Sequence, residues 1–406
     1  MTASAGNGSP VTPAPLDEKQ IRPLIAGFGS SLTLPAAAYT SDEVFRWEEE
    51  HILRSGWVCL GHLNDLLTPG QIRAVEVGSE GVLLVRDGDD RLRAFSNVCR
   101  HRGHELAPVG DAIDARLIRC PYHSWTYRAD GSLRTAPTLT QSPGFDPSDY
   151  PLIELAVEVN GGWVFVDLSN GSGPLEAQLG NLAQIMAPYE TERLTTAASH
   201  SYVVAANWKI VVENYNECYH CTSIHPELCQ VTPPDSGVDH QPTGMWCGGP
   251  MELKSHATTM SLDGVSRGVR LRGVDDDLAR RVWYVTVWPN LLLSMHPDYV
   301  MAHRLTPIDH GATRVECSWM FPPEAFQLDR FDPSYAVDFW DITNREDWAA
   351  CEGVMRGMRN RGHRPGPLSR WEGTVYQFMG MIARFYLGEG LVVPQVPSRE
   401  SLVSGP

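Results

Sequence analysis

No dense run of lysine or arginine occurs in the chain, and its net charge is −16. That balance argues against the two polyanionic partners a basic protein would seek, nucleic acid and an anionic membrane surface. No stretch approaches the roughly 20 apolar residues of a membrane span. A basic start followed by an apolar core is also missing, so the chain reads as a cytoplasmic protein without a secretory signal. There is no Gly-x-Gly-x-x-Gly after a predicted strand, which leaves no flavin or nicotinamide site of its own. No internal repeat is visible. The nine cysteines are an odd set in a chain of 406 residues. Without export signals they read as reduced thiols and metal ligands rather than disulfides.

In bulk the composition is ordinary. Apolar residues make up 42% and charged residues 20%, as in a globular protein with room for two or three cores. Residues 1–34 are rich in Ser, Gly, Pro and Ala, and the start is expected to be disordered. Ser41 has the form of an N-cap for a helix over Asp42–Leu53. From Trp57 to Leu168 short β-rich runs follow one another: Ile72–Val77, Val82–Arg86, Leu92–Phe95, Leu117–Arg119 and Gly162–Val166. Asp87-Gly88-Asp89-Asp90 is a hairpin loop among them.

Ser169-Asn170-Gly171-Ser172-Gly173-Pro174 then punctuates the chain. Beyond it, Arg281–Val287, Leu291–Met295, Val300–Leu305 and Thr313–Met320 read as strands of one antiparallel sheet. Val337–Met358 and Thr374–Leu387 read as long helices, the latter stopped by Gly388. The expected class is α+β. Residues 46–168 form a small all-β domain, and residues 169–406 a larger α+β domain whose helices flank an antiparallel sheet. Residues 1–45 form an N-terminal segment whose helix joins the larger domain.

Two half-motifs carry the first chemistry: Cys99-Arg100-His101 and Cys120-Pro121-Tyr122-His123. They supply two thiolates and two imidazoles, the ligand set of a Rieske [2Fe–2S] centre. A structural zinc is the alternative for the same four residues. Three details weigh against it. Pro121 stiffens the second loop, and Trp125 and Tyr127 stand where they could shield the cluster or bond its sulfurs. The gap between the half-motifs holds strand and turn residues rather than a zinc-finger helix.

A second constellation follows. Asn207 to about Cys221 is a predicted helix, which puts Glu213, Glu217 and His220 on one face. On a continuous helix His225 would lie about 140° further round. Pro226 pushes His225 out of the α region, so the helix ends near Cys221 and His225 turns back towards His220. Two imidazoles and one carboxylate make the facial triad of non-haem Fe(II) oxygenases. Glu217, Glu213 and Glu227 are the nearby carboxylates. A distant candidate is Asp347, because Thr343 with Glu346 reads as a capping box that places it in the first turn of a new helix. Spacing alone does not choose Asp347 over Asp338 or Asp341.

The paired pattern, Cys99-x-His101 with Cys120-x-x-His123 and then Glu213-x₃-Glu217-x₂-His220-x₄-His225, resembles that of Rieske non-haem iron oxygenase α-subunits. The double motif is specific, and the resemblance runs over nearly the whole chain after about residue 35. It implies a [2Fe–2S] cluster on Cys99, His101, Cys120 and His123. It also implies a mononuclear Fe(II) on His220 and His225, with Asp347 of Asn344-Arg345-Glu346-Asp347-Trp348 as third ligand. By the same resemblance Glu217 carries electrons between His220 and a cluster His of the next subunit in a head-to-tail homotrimer. A separate NAD(P)H-dependent flavin/[2Fe–2S] reductase would feed the cluster.

The family residue at Glu217 is usually Asp. Glu there is similar to the branch acting on quaternary ammonium compounds: choline, glycine betaine, carnitine and stachydrine. So are Asp338–Trp348, Arg364–Ser369, Trp288–Asn290 and His296–Tyr299. The implied reaction is O₂-dependent hydroxylation of an N-methyl group, of glycine betaine first, with release of formaldehyde and the demethylated amine. The alternative is a Rieske oxygenase acting on an aromatic or other apolar substrate. A quaternary ammonium has no N–H to donate, so recognition falls to aromatic faces and carboxylates. Candidates are Tyr202, Tyr215, Trp246, Trp283, Trp288 and Tyr299, with His303 or Arg304 for a substrate carboxylate.

Overall fold

Alternating burial marks the start of strand Gln71–Val77: Ile72 and Ala74 are buried while Gln71, Arg73 and Val75 between them are less so. The computed structural model describes residues 12–397. It forms two units, one of Ile52–Gly173 and one that joins the chain up to His51 with the chain from Pro174 on. The expected disorder at the start of the chain lies largely on residues 1–11, outside the described residues.

In the unit Ile52–Gly173 a seven-stranded antiparallel sheet has the order Trp57–His62, Trp163–Asp167, Glu154–Asn160, Leu92–Ser96, Glu80–Arg86, Gln71–Val77, Ile113–Asp114. A separate three-stranded sheet, Leu117–Arg119, Thr126–Arg128 and Leu133–Thr135, stands beside it. Leu83, Val85, Phe95, Ile118 and Tyr127 belong to one core cluster that ties the two sheets together. The Asp87–Asp90 loop is the expected hairpin, held by Asp87 Oδ1 accepting from the backbone N–H of Asp89 and Arg91. Asp167 closes the other end of the unit, accepting from Ser169 N and Ser172 N across the turn-rich segment.

The other unit is built on a six-stranded antiparallel sheet in the order Thr195–Val204, Ala312–Phe321, Val300–Asp309, Leu291–Met295, Arg281–Val287, Trp246–Glu252. Four of these strands are the expected ones. The two outer strands escaped sequence reasoning because Thr195–Val204 is mostly polar and Trp246–Glu252 contains Gly248-Gly249-Pro250. Those glycines are required. A Cβ on Gly249 would stand 1.7 Å from the Val238 carbonyl oxygen, and one on Gly248 2.1 Å from that of Tyr284. This close approach lets the chain at Val238 and His240 bond the strand backbone at Pro250 and Gly248.

Helix Asp42–Glu48 has the expected cap, with Ser41 Oγ accepting from Val44 N at 3.4 Å, and continues as a π turn over Glu49–Leu53. Helix Gly373–Tyr386 ends before Gly388, whose φ of +75° suits glycine. Two expectations about helices need correction. Helix Ser334–Met358 is unbroken for 25 residues, so Asp347 lies in its middle rather than in a first turn. Thr343 does not cap: its hydroxyl donates one turn back to Phe339 O at 3.1 Å. Burial of Phe339, Trp340 and Thr343 against the sheet carries the helix through the apparent start signal.

The helix expected over Asn207–Cys221 covers only Trp208–Tyr215. Asn207 is its N-cap, accepting from Lys209 N at 3.1 Å. At the other end Asn216 closes the helix twice over, its backbone N–H donating to Val212 O at 3.2 Å and its side-chain Nδ2 donating to the same carbonyl at 2.9 Å. Nothing in the residue pattern announces what anchors this helix. Lys209, fully buried, meets Glu48 at 2.7 Å, and Glu48 also accepts from Trp208 Nε1 and Tyr386 Oη. A buried ion pair is tolerated only when its remaining hydrogen bonds are made, as they are here. Among the described residues no helix is long and apolar enough to cross a membrane.

Candidate metal centres

In the β unit the two half-motifs occupy matching tight loops. Cys99 N donates to His104 O and Gly103 N to Cys99 O; Cys120 N donates to Trp125 O and Ser124 N to Cys120 O. Gly103 and Ser124 hold the positive φ that such loops need, +72° and +61°. Both thiols are buried, at 2% and 1% exposure, whereas His101 and His123 are half-buried with ring centroids 4.7 Å apart. Burial pushes the Cys99 thiol up, so that sulfur is kept as a neutral thiol unless a cation joins it. Two buried sulfurs below two accessible imidazoles fit the asymmetric donor set of a Rieske cluster. Tyr127 Oη lies 3.3 Å from Cys99 Sγ and accepts from Arg100 N at 3.1 Å, while Trp125 stacks on His101. Both aromatics therefore stand against cluster-motif residues, Tyr127 against a sulfur and Trp125 against an imidazole.

In the other unit the chain after Asn216 turns tightly, and the predicted shared helix face is replaced by a loop. Glu217 folds over that loop: its carboxylate accepts from Tyr219 N, from His220 N at 3.2 Å and from His220 Nδ1 at 2.5 Å. His220 leads into the short helix Cys221–Ile224 and His225 leads into helix Pro226–Val231, the break that Pro226 demands. The two imidazoles consequently meet, Nε2 to Nε2, at 3.2 Å. From the long helix, Asp347 Oδ1 reaches His225 Nε2 at 2.9 Å and His220 Nε2 at 3.3 Å. Three atoms able to ligate a metal thus converge on one point.

The outer bonds fix the tautomers. His220 Nδ1–H donates to Glu217 and His225 Nδ1–H to Glu346 at 2.7 Å, so both Nε2 atoms are turned inward. Glu346 was missed as a site residue because its sequence signal read as half of a capping box. Burial opposes a charged His220, yet its bonds to Asp347 and Glu217 outweigh that and push its pKa up to about 10. Burial would likewise raise Asp347, but the two histidines hold it below the usual carboxylate range. A cluster that grips protons this firmly is one where a dication can replace them.

The rival carboxylates lie elsewhere. Asp341 is occupied by Tyr202 Oη at 2.6 Å and Arg345 Nε at 2.8 Å, and Asp338 is exposed. Glu213 accepts from Tyr39 Oη at 2.7 Å, and Glu227 has no bond to either histidine among the described residues. Cys221 Sγ is within 4.8 Å of the histidine ligand atoms, but it is joined to Cys218 in a disulfide. The expectation of reduced thiols fails at this pair, because the loop closes the two Cα atoms to 4.9 Å.

Glu213 yields a stability prediction. Burial raises its pKa to about 8 from 4.5, despite the Tyr39 bond. The native state therefore holds a proton that the unfolded chain releases above about 4.5, and stability falls as pH rises through 8. Glu213→Gln keeps the acceptor without the charge. Thermal melts should show the variant gaining on the parent protein between pH 5.5 and 8.5; a constant gap would exclude this.

Beyond the convergent atoms opens a cavity walled by Tyr215, Tyr284, His303, Trp340, Trp348 and Trp371, among others, with no Lys or Arg among its described lining residues. Of the six aromatics picked from sequence only Tyr215 lines it. Trp246, Trp288 and Tyr299 are core residues, and Tyr202 bonds Asp341. Arg304 pairs with Glu316 instead.

Two domain families match the chain: the Rieske [2Fe–2S] domain over residues 56–151 and the ring-hydroxylating α-subunit catalytic domain over residues 191–388. The fold and its two centres are those of a Rieske-type non-haem iron oxygenase, which uses a [2Fe–2S] cluster and a mononuclear iron, and the structural-zinc alternative falls. A carnitine monooxygenase oxygenase subunit from Acinetobacter pittii (strain PHEA-2) is 31% identical over 339 residues, 82% of this chain and 86% of that one. A glycine betaine monooxygenase oxygenase subunit from Pseudomonas aeruginosa (strain UCBPP-PA14) is 28% identical over 411 residues, 93% and 94% of the two chains. The solved quaternary ammonium Rieske monooxygenase CntA superposes with a TM-score of 0.75 at 26% identity, over 91% of this chain and 99% of that one. This chain belongs to the Rieske ring-hydroxylating oxygenase α-subunit family.

Proposed function

We propose that this chain is the oxygenase component of a monooxygenase that hydroxylates an N-methyl group of a quaternary ammonium compound, releasing formaldehyde and the demethylated amine. The observation that carries the reading is the cavity: aromatic walls with no Lys or Arg among the described lining residues, floored by His220 Nε2, His225 Nε2 and Asp347 Oδ1. A cation without N–H groups is held by such faces, each contributing roughly 0.5–2 kcal/mol when desolvated. The similar glycine betaine and carnitine enzymes support the class, and glycine betaine heads the panel to assay.

In this reading His220, His225 and Asp347 hold the iron, and Cys99, His101, Cys120 and His123 hold the cluster. The iron, when bound, supplies dioxygen activation, and the cluster supplies electrons from a separate reductase. The protein's own work is positional. Glu217 and Glu346 keep both imidazoles in the ligating tautomer, and the aromatic walls present a methyl carbon to the metal while excluding water. Glu217, bonded to His220, is the link through which electrons arrive from a cluster His of a neighbouring subunit in a homotrimer. The complex works in the cytoplasm.

Purified protein supplied with a reductase and NADH should release formaldehyde from glycine betaine or a relative. It should give no cis-diol or phenol from arenes. Product formation from arenes alone, or turnover with NADH and no reductase, would overturn the assignment.

A further inference from the structure

Three residues that line the cavity each carry a buried polar atom with no hydrogen-bond partner among the described residues: His303 Nδ1, Trp348 Nε1 and Tyr284 Oη. Buried polar groups are almost always paired, so three on the lining residues of one cavity mark where a ligand's polar group belongs. His303 is 2% exposed and sits on strand Val300–Asp309. Its Nε2 lies 3.1 Å from Asn344 Oδ1, an atom that only accepts, so Nε2 carries the hydrogen. Burial pushes the imidazole down to about 4, which keeps it neutral and removes it as the cationic partner expected for a carboxylate. Its Nδ1 is therefore a bare lone pair. Trp348 Nε1–H can only donate. The two rings lie 6.0 Å apart at 88°.

An acceptor and a donor on two lining residues are matched together by a hydroxyl group, which donates to one and accepts from the other. A carboxylate would face the His303 lone pair with its own, and no Lys or Arg among the described lining residues compensates. A methylene would leave both atoms unpaired. We infer that His303 and Trp348 form a subsite that reads an alcohol on the substrate. This rests on the quaternary ammonium reading and narrows it to hydroxyl-bearing cations such as choline or carnitine, placing glycine betaine, which has no hydroxyl, behind them.

The test uses the cluster- and iron-loaded enzyme with a reductase and two matched pairs that differ in a hydroxyl: carnitine against γ-butyrobetaine, and choline against ethyltrimethylammonium. Formaldehyde release gives kcat/KM and calorimetry gives Kd. The hydroxyl member of each pair should be favoured at least about tenfold. In His303→Leu the preference should shrink to within about twofold while the deoxy compounds are still used, and His303→Gln, whose carbonyl can accept, should recover part of it. Trp348→Phe removes the donor and gives an independent arm. Equal use of both members, or a preference unchanged in these variants, overturns the subsite and leaves N-demethylation standing. No binding and no formaldehyde from any of the four compounds overturns both.

Discussion

Asp347→Ala is expected to strip the mononuclear iron and abolish turnover while the visible spectrum of the reduced and oxidised cluster is unchanged. The carboxylate is the only anion among the three convergent atoms, and it contacts both imidazole Nε2 atoms. Without it the site offers two neutral nitrogens to a dication, so iron affinity should fall by more than the roughly 10- to 100-fold typical of losing an outer partner of a ligand. Glu346→Ala, which removes the acceptor of the His225 Nδ1 bond, belongs in that smaller range. Asp341→Asn, four positions from Arg345 and bonded to Tyr202, should retain full iron. Metal analysis of the three proteins ranks them. Full iron in Asp347→Ala, or loss of iron in Asp341→Asn, would show that the wrong carboxylate has been chosen.

Glu217→Gln is expected to keep both metals and lose electron delivery. The amide oxygen can still accept from His220 Nδ1, so the ligating tautomer survives. The charge does not, and the amide nitrogen turned towards the Tyr219 and His220 backbone N–H groups cannot accept from them. Reoxidation of the pre-reduced cluster in a stopped-flow single turnover should slow by about 10- to 100-fold, the range seen when partners of metal ligands are altered. Iron content should stay near the parent value. If iron is lost in this variant, Glu217 is itself a ligand; if the rate is unchanged, electrons reach His220 by another route.

Much of the architecture was legible because it rests on local pattern. Strands Arg281–Val287, Leu291–Met295 and Leu117–Arg119 are bounded as the apolar runs and turn residues suggest, and helix Gly373–Tyr386 stops just before Gly388. The helix after Asn207 ends earlier than its pattern suggests, where the Asn216 side chain adds a second bond to the Val212 carbonyl and caps the last turn. Thr343-x-x-Glu346 misled for the opposite reason. A capping signal has about 1 kcal/mol at stake, and burial of Phe339, Trp340 and Asn344 in the long helix outweighs it. Aromatic residues chosen by nearness to predicted site elements missed Tyr284, Trp340 and Trp348, because strand register and helix phase decide which rings face the cavity.

The order of cysteines and histidines, the proline after His225 and the spacing of short strands determined by themselves that this is an iron–sulfur oxygenase of α+β build. Ligand type and loop stiffness are written in consecutive residues, and chemistry restricts which metals accept them. Which carboxylate meets the two imidazoles, why Glu346 matters and which polar atoms of the cavity's lining residues are left unpaired were decided only by the folded chain. Those contacts join residues more than a hundred positions apart, and their geometry depends on packing that no local pattern encodes.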